Sequence, residues 1–167
     1  ARIQEYLIAL KATDDVDTAR RLLKHIVILG TYIKRRSNLV FVCDKAEDID
    51  TTELRLSLFE SAESLRLSDI RCAVQIADTA KISPASAVAI YDAFEAIIEA
   101  TLPGLQEILF CAEHTAQGWG LRCSVQCTDA PAALPSLPQI QLEQDVGVQN
   151  TVLHTFQQHD GVIVKIV

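Results

Sequence analysis

The stretch QEILFCAEHTAQGWGLRCSVQC, residues 106–127, contains the clearest strand signal in the chain. It holds two strand-like runs, 107–113 and 121–127, and the segment that joins them includes Gly118 and Gly120. A short glycine-containing connection between two strands is typical of a β-hairpin. We therefore predict a hairpin here, and the elements on either side of it indicate the rest of the fold.

The residues before this hairpin predict two helices with a strand between them. Residues 53–67, ELRLSLFESAESLRL, repeat leucine and alanine at helical spacing. Residues 70–77, IRCAVQIA, alternate apolar and polar side chains, as in a strand that buries one face. Residues 79–104 predict a second helix, with Pro84 in its first turn and a stop at Pro103-Gly104.

The residues after the hairpin predict a loop, a helix and a final strand. Residues 128–145 are rich in proline and contain no glycine, which indicates a loop or an irregular extended segment. Residues 146–167 then predict a helix followed by a strand that begins near Gly161. The resulting order α-β-α-β-β-loop-α-β predicts an α+β fold, a two-layer α/β sandwich with helices on one face of a mostly antiparallel sheet.

The N-terminal residues predict an α-helical hairpin that precedes this sandwich. Residues 2–11 have helical spacing, a polar break follows, and residues 18–43 carry a heptad pattern over about three repeats. The apolar stripe is wide enough for a four-helix bundle, which two helices cannot complete alone, so we expect a homodimer. We predict a dimerisation hairpin over residues 1–45 and the sandwich over residues 50–167.

Composition excludes several classes of function. Hydrophobic residues make up 49% of the chain and the formal net charge is −7. The charge argues against nucleic-acid binding, and no apolar run approaches the roughly 20 residues that span a bilayer. The five cysteines form no CxxC pair, so we expect free thiols rather than a zinc site. Because the sequence begins at Ala1 and contains no Met, we expect it to be part of a longer protein.

Three segments carry a resemblance to a known family: FEAIIEATLPG (94–104), SVQCTDAPA (124–132) and VGVQNTVLHTFQQHDGVIVKIV (146–167). With the order of the elements, they resemble a sensor histidine kinase core, which is a helical dimerisation region followed by a GHKL (Bergerat-fold) ATPase domain. The resemblance covers essentially the whole chain. It implies ATP and Mg²⁺ as cofactors, a possible response regulator as partner, and a cytoplasmic location, possibly behind a membrane-anchored sensor.

The first segment resembles the family's N box, which reads Glu-x-x-x-Asn-Ala followed by basic residues. Glu95 matches the family's glutamate, which implies a catalytic role, and Glu99 stands at the asparagine that binds Mg²⁺ and the cofactor. A carboxylate is a suitable hard-oxygen ligand for Mg²⁺. However, Leu102 and Pro103 replace the basic residues, so we expect weakened ATP binding. The alternative is an amphipathic helix with two solvated glutamates.

The other two segments resemble the adenine-binding and glycine boxes. Asp129 matches the aspartate that accepts a hydrogen bond from adenine, but Pro131 stands where the family has glycine. Gly147 matches one of the two or more glycines that cradle phosphate. The alternative is that Asp129 is a turn residue, and that Gly147 and Gly161 only punctuate a helix and a strand.

Two hypotheses remain open for function, so whether the chain is an enzyme is open too. In the first, a degenerate kinase-like core relays conformation without hydrolysing ATP. In the second, a divergent histidine kinase binds Mg-ATP and phosphorylates a histidine. The family's acceptor histidine lies on the first helix of the hairpin, whereas His25 lies on the second. We therefore predict that His25 is structural and that any acceptor lies upstream of Ala1. All three altered boxes favour the degenerate core.

Overall fold

The computed structural model describes residues 2–44, 46–77, 81–115, 118–128, 153–158 and 161–166. Four α-helices and seven β-strands are present in these ranges. In chain order they are α1 (Arg2–Ala12), α2 (Val16–Cys43), β1 (Ile49–Asp50), α3 (Thr51–Arg66), β2 (Arg71–Ile76), β3 (Lys81–Ile82), α4 (Pro84–Thr101), β4 (Leu105–Thr115), β5 (Gly118–Cys127), β6 (Leu153–Gln158) and β7 (Gly161–Ile166). The fold class is confirmed, because a helical hairpin precedes a domain of helices and a mixed sheet.

Side-chain caps explain where the helices begin. The carboxylate of Asp15 accepts a hydrogen bond from the backbone N–H of Thr18 at 2.8 Å and starts α2. Asp50 caps α3 in the same way. The Ser83 hydroxyl caps α4 directly before Pro84, which lies in the first turn of the helix as predicted. Such caps satisfy N–H groups that a helix leaves unpaired at its start.

The main sheet has the strand order β2-β4-β5-β7-β6. Strand β2 runs parallel to β4, and the other neighbours are antiparallel. The predicted hairpin is confirmed as β4 and β5, with Phe110 opposite Cys123. A separate antiparallel pair, β1 with β3, was not predicted from the sequence.

Helices α3 and α4 cover one face of the sheet. On α4, the ring of Phe94 meets the ring of Phe110 edge to face, with centroids 5.1 Å apart. Ile108 and Phe110 are fully buried on this face, whereas Leu109 between them is largely exposed on the other. The residues that the sequence placed on the inner face of α3 are all buried: Leu54, Leu58, Ala62 and Leu65. This layering confirms the predicted arrangement of helices on one face of the sheet.

The predicted C-terminal helix is wrong for residues 153–158. These residues form strand β6, which pairs antiparallel with β7 from Leu153 opposite Ile166 to Gln158 opposite Gly161. Strand β7 then pairs with β5, so β6 becomes the edge of the sheet. The competing signal is the Asp160-Gly161 dipeptide between two short runs rich in β-branched and aromatic residues, which favours a hairpin. The remainder of the predicted helix lies outside the described residues.

Helix α2 packs against α3 and α4. Its Ile28 and Leu39 are buried in the same hydrophobic core as Leu58 of α3 and Phe94 of α4. In this structure the second helix of the hairpin is therefore part of the core of the α+β layer. The division into residues 1–45 and 50–167 stays a prediction.

Candidate functional site

Helix α4 carries the two predicted N-box carboxylates and a third acidic residue. Asp92, Glu95 and Glu99 are spaced by three and four positions, so they share one face of the helix. Ser83 and Pro84 fix the start of α4, and Phe94 anchors it to the sheet. The surroundings of these three carboxylates determine what this face of α4 can bind.

Glu95 is deeply buried in the helical layer, with 3% of its surface exposed. Its Oε2 atom has no hydrogen-bond partner in the part of the chain that the structure describes. Burial raises the pKa of this carboxyl to about 8, and the negative charges of Glu99 and Asp92 add to the effect. At neutral pH the folded protein therefore holds Glu95 mostly in its protonated form.

Asp92 binds two side chains of α2. Arg36 donates two hydrogen bonds to it, from Nε to Oδ1 at 2.7 Å and from Nη2 to Oδ2 at 2.9 Å. The Tyr32 hydroxyl donates a third bond to Oδ1 at 3.2 Å. A bidentate arginine–carboxylate pair is stronger and more directional than an ordinary surface ion pair. We call this set of contacts between α2 and α4, together with the aromatic stack described next, the α2–α4 latch.

The aromatic part of the latch is a stack of two tyrosines. The ring centroids of Tyr32 and Tyr91 lie 5.7 Å apart with an interplanar angle of 20°. Tyr91 is fully buried, and its hydroxyl forms a 2.7 Å hydrogen bond with that of Ser61 on α3. Burial raises the pKa of Tyr32 to about 12, and the nearby Asp92 charge contributes. Burial also raises the pKa of Tyr91. Both hydroxyls therefore stay protonated and serve as structural donors or acceptors.

Two of the three residues in the basic run Lys34-Arg35-Arg36 of α2 form ion pairs with the helices packed against it. Arg36 binds Asp92, and Arg35 forms an ion pair with Glu60 of α3. The sequence contains a signal for this arrangement, because Arg36 interrupts the apolar heptad pattern of α2 at one position. A cation inside an apolar seam requires a buried or half-buried partner.

The residues that are described on α4 do not fit a Mg²⁺–triphosphate site as they stand. Asp92 is engaged by Arg36, and Glu95 is protonated at neutral pH. Glu99 is half-buried one turn further along, close enough for its charge to act on Glu95. Within the described ranges, no group of three His, Cys, Asp or Glu side chains could hold a metal ion.

The other predicted site residues cannot be placed relative to α4. Asp129 and Gly147 lie outside the described residues, and so do Pro131 and His159. Gly161 begins strand β7 rather than separating a helix from a strand. The structure thus brings Glu95 and Glu99 together, and the roles of all four predicted site residues stay predictions.

His25 lies on α2, away from the three carboxylates of α4. It is buried, and its ring centroid lies 5.2 Å from that of Tyr6 on α1. Burial lowers the pKa of the imidazole, and the positive charge of Arg21 lowers it further. A neutral, packed imidazole is consistent with the structural role that the sequence predicts.

The five cysteines are free, as expected. Cys111, Cys123 and Cys127 are buried, and Cys43 and Cys72 are half-buried. Burial raises the pKa of Cys72 to about 12 and shifts the pKa of Cys123 upward as well. The thiols of Cys72 and Cys123 therefore stay protonated at neutral pH, and a protonated thiol is a poor nucleophile.

No described helix is long and apolar enough to cross a bilayer. No protein-family model matches the chain, and no curated protein sequence matches it.

Solved structures resemble the chain in fold. A bacterial phosphotransferase is 12% identical with a TM-score of 0.48, and the match covers 99% of this chain and 86% of that one. The kinase domain of a blue-light-activated histidine kinase from Erythrobacter litoralis is 18% identical with a TM-score of 0.47, covering 99% and 80%. The Acinetobacter baumannii histidine kinase AdeS is 15% identical with a TM-score of 0.44, covering 98% and 91%. At these values the likeness concerns the fold alone, and histidine kinase domains are among the structures that the chain resembles.

Proposed function

We propose that this chain is the cytoplasmic core of a bacterial, histidine kinase-like signalling protein that binds Mg-ATP weakly or not at all. In this proposal it acts as a dimeric scaffold that passes on a conformational signal, with a response regulator as a possible partner. The proposal rests on the altered boxes of the sequence and on the surroundings of α4.

The α2–α4 latch is the observation that carries the proposal. The sequence resemblance assigns the α4 face with Glu95 and Glu99 to the nucleotide. Asp92 lies on the same face, and Arg36 and Tyr32 of α2 bind it. A triphosphate placed there would find Asp92 held by Arg36 and would meet the negative charge of Glu99. The basic residues that could offset this charge are replaced by Leu102 and Pro103. The like charges would oppose binding of the anionic ligand.

Titration with Mg-ATP tests this proposal. We expect millimolar Mg-ATP to leave the melting temperature of the purified chain where MgCl₂ alone leaves it. A nucleotide present at 100 times its dissociation constant would stabilise the folded state by about 2.7 kcal/mol. A shift of that size, saturating with concentration and absent with a non-nucleotide polyphosphate, would favour the divergent active kinase instead.

The proposed homodimer rests on apolar side chains that α1 and α2 leave exposed. They include Leu7, Ile8, Leu23, Val27 and Ile33. Gly30 lies among them on α2, and a Cβ added there would meet nothing within 4 Å. An open glycine beside exposed apolar residues suits the close approach of a second hairpin.

Light scattering tests the dimer, and we expect a mass of twice 18.4 kDa. The Val27→Glu variant should give the single-chain mass, because a charge in the apolar seam cannot be desolvated without a partner. Leu56→Glu on α3 is the matched control, since Leu56 is 52% exposed and Val27 is 54% exposed. If both variants stay dimeric, or if the parent chain is monomeric, the hairpin is not the interface.

A further inference from the structure

A cavity of about 230 Å³ lies between the first half of α2 and the turn that leads from α4 into β4. One wall is formed by α2 and is mostly polar, with the side chains of Asp17, Arg20, Arg21, Lys24, His25 and the apolar Ile28. The opposite wall is mainly apolar and is formed by Ser68, Ile70, Leu102, Pro103 and Leu105. Neither the N-box carboxylates nor the α2–α4 latch contributes to this cavity.

The α2 wall is positively charged in a chain whose formal net charge is −7. Its single acidic residue, Asp17, pairs with Arg20 at 3.2 Å on the exposed rim. Lys24 pairs with Asp69, whose side chain is exposed. Arg21 has no ion pair with any residue in the described ranges, so its guanidinium keeps its donors for a ligand.

His25 supplies a second, independent indication of a ligand. Only 9% of its surface is exposed, it lines the cavity, and its Nδ1 atom has no hydrogen-bond partner among the residues described. A buried polar atom without a partner costs free energy that a ligand atom could recover. The groups around the imidazole are Tyr6 of α1 and, on α2, the Arg21 guanidinium that helps to keep it neutral.

The two walls together indicate the chemistry of the ligand. A guanidinium, an ammonium group and an imidazole on one side suit a doubly charged oxyanion. The apolar wall opposite them suits a small hydrophobic group attached to that anion. The cavity is smaller than the roughly 300–1,000 Å³ of pockets for drug-sized molecules, so the ligand must be small.

We propose that this cavity is a binding site for a phosphate monoester that carries a small apolar group, with Arg21 and His25 contacting the phosphate. Protonation of His25 on binding would make both of its ring nitrogens donors and give the imidazole a positive charge toward the phosphate. The site is independent of the proposed weakness of ATP binding, because it uses a different part of α2 and none of the α4 carboxylates.

Calorimetric titration of the whole chain with phenyl phosphate and with inorganic phosphate, at constant ionic strength set by NaCl, tests the site. We expect phenyl phosphate to bind about fivefold more tightly than inorganic phosphate, because its ring buries apolar surface against the second wall. Arg21→Gln should weaken phenyl phosphate binding by about tenfold, since it removes charged hydrogen bonds. Arg21 is exposed, so this substitution leaves the core intact.

Arg122→Gln is the matched control, because Arg122 is an exposed arginine on the sheet that pairs with Glu113 far from the cavity. It should bind both probes as the parent does. In NMR spectra, phenyl phosphate should raise the pKa of the one imidazole whose signals disappear in His25→Gln. Equal binding of the two probes, equal binding by Arg21→Gln and the parent, or an unmoved His25 titration would each overturn the proposal.

Discussion

At pH 7 the Glu95→Gln variant should be more stable than the parent chain by about 3 kcal/mol, which follows from the difference between the folded and unfolded pKa of Glu95. Burial raises the pKa of Glu95 to about 8 in the folded protein from an ordinary value of 4.5. The unfolded chain releases this proton near pH 4.5, whereas the folded chain keeps it until about pH 8. Between these values, the stability of the parent therefore falls as the pH rises.

The pH dependence of this gain in stability distinguishes it from the effect of simply removing a negative charge. Glutamine has the same shape and no proton to release, so the advantage of Glu95→Gln should be absent at pH 4, grow through neutral pH and level off above pH 8. Urea denaturation of both chains at a series of pH values measures the difference directly.

Glu63→Gln is the control, because Glu63 lies on α3 with an exposed side chain that pairs with Arg66. Exposed ion pairs contribute about 1 kcal/mol or less, so this control should change stability little at any pH. If Glu95→Gln gains nothing at pH 7, or gains equally at pH 4, the carboxyl is not buried and protonated as described.

Much of the fold follows from local patterns that depend on neighbours in sequence. Four apolar positions of α3 repeat with helical spacing, and all four are buried: Leu54, Leu58, Ala62 and Leu65. Pro84 fixes the start of α4, and Gly118 and Gly120 favour the hairpin of β4 and β5. Each of these signals involves residues within a few positions of one another, so a sequence reading detects them.

The candidate site depends on contacts between distant residues, and a single sequence does not contain that information. Arg36 and Asp92 are 56 positions apart, and only the packing of α2 against α4 brings them together. The burial of Glu95 also depends on the packing of distant residues. The local sequence around it is the same whether the glutamate belongs to an N box or is solvated on an ordinary helix. The error at β6 is different in kind, because the Asp160-Gly161 signal was present and the helical interpretation outweighed it.

Tyr91→Ala should destabilise the chain by about 4 kcal/mol, as expected for truncation of a fully buried aromatic side chain. The substitution removes the stack on Tyr32 and the hydrogen bond to Ser61, and it leaves a cavity between α2, α3 and α4. Tyr91→Phe keeps the ring and should cost only about 1 kcal/mol, the usual contribution of one hydrogen bond. The difference between the two variants measures the packing part of the α2–α4 latch.

A double-mutant cycle with Tyr32→Ala then tests whether α2 packs on α4 in solution. If the rings are stacked, the two substitutions should be non-additive, with a coupling of about 1 kcal/mol for the aromatic pair. The amides of α2 should also exchange faster with solvent in Tyr91→Ala than in Tyr91→Phe, because the helix loses its anchor. Strict additivity together with unchanged exchange would mean that α2 is free of α4. The carboxylate face of α4 would then be open to a ligand, and the central support for weak ATP binding would be lost.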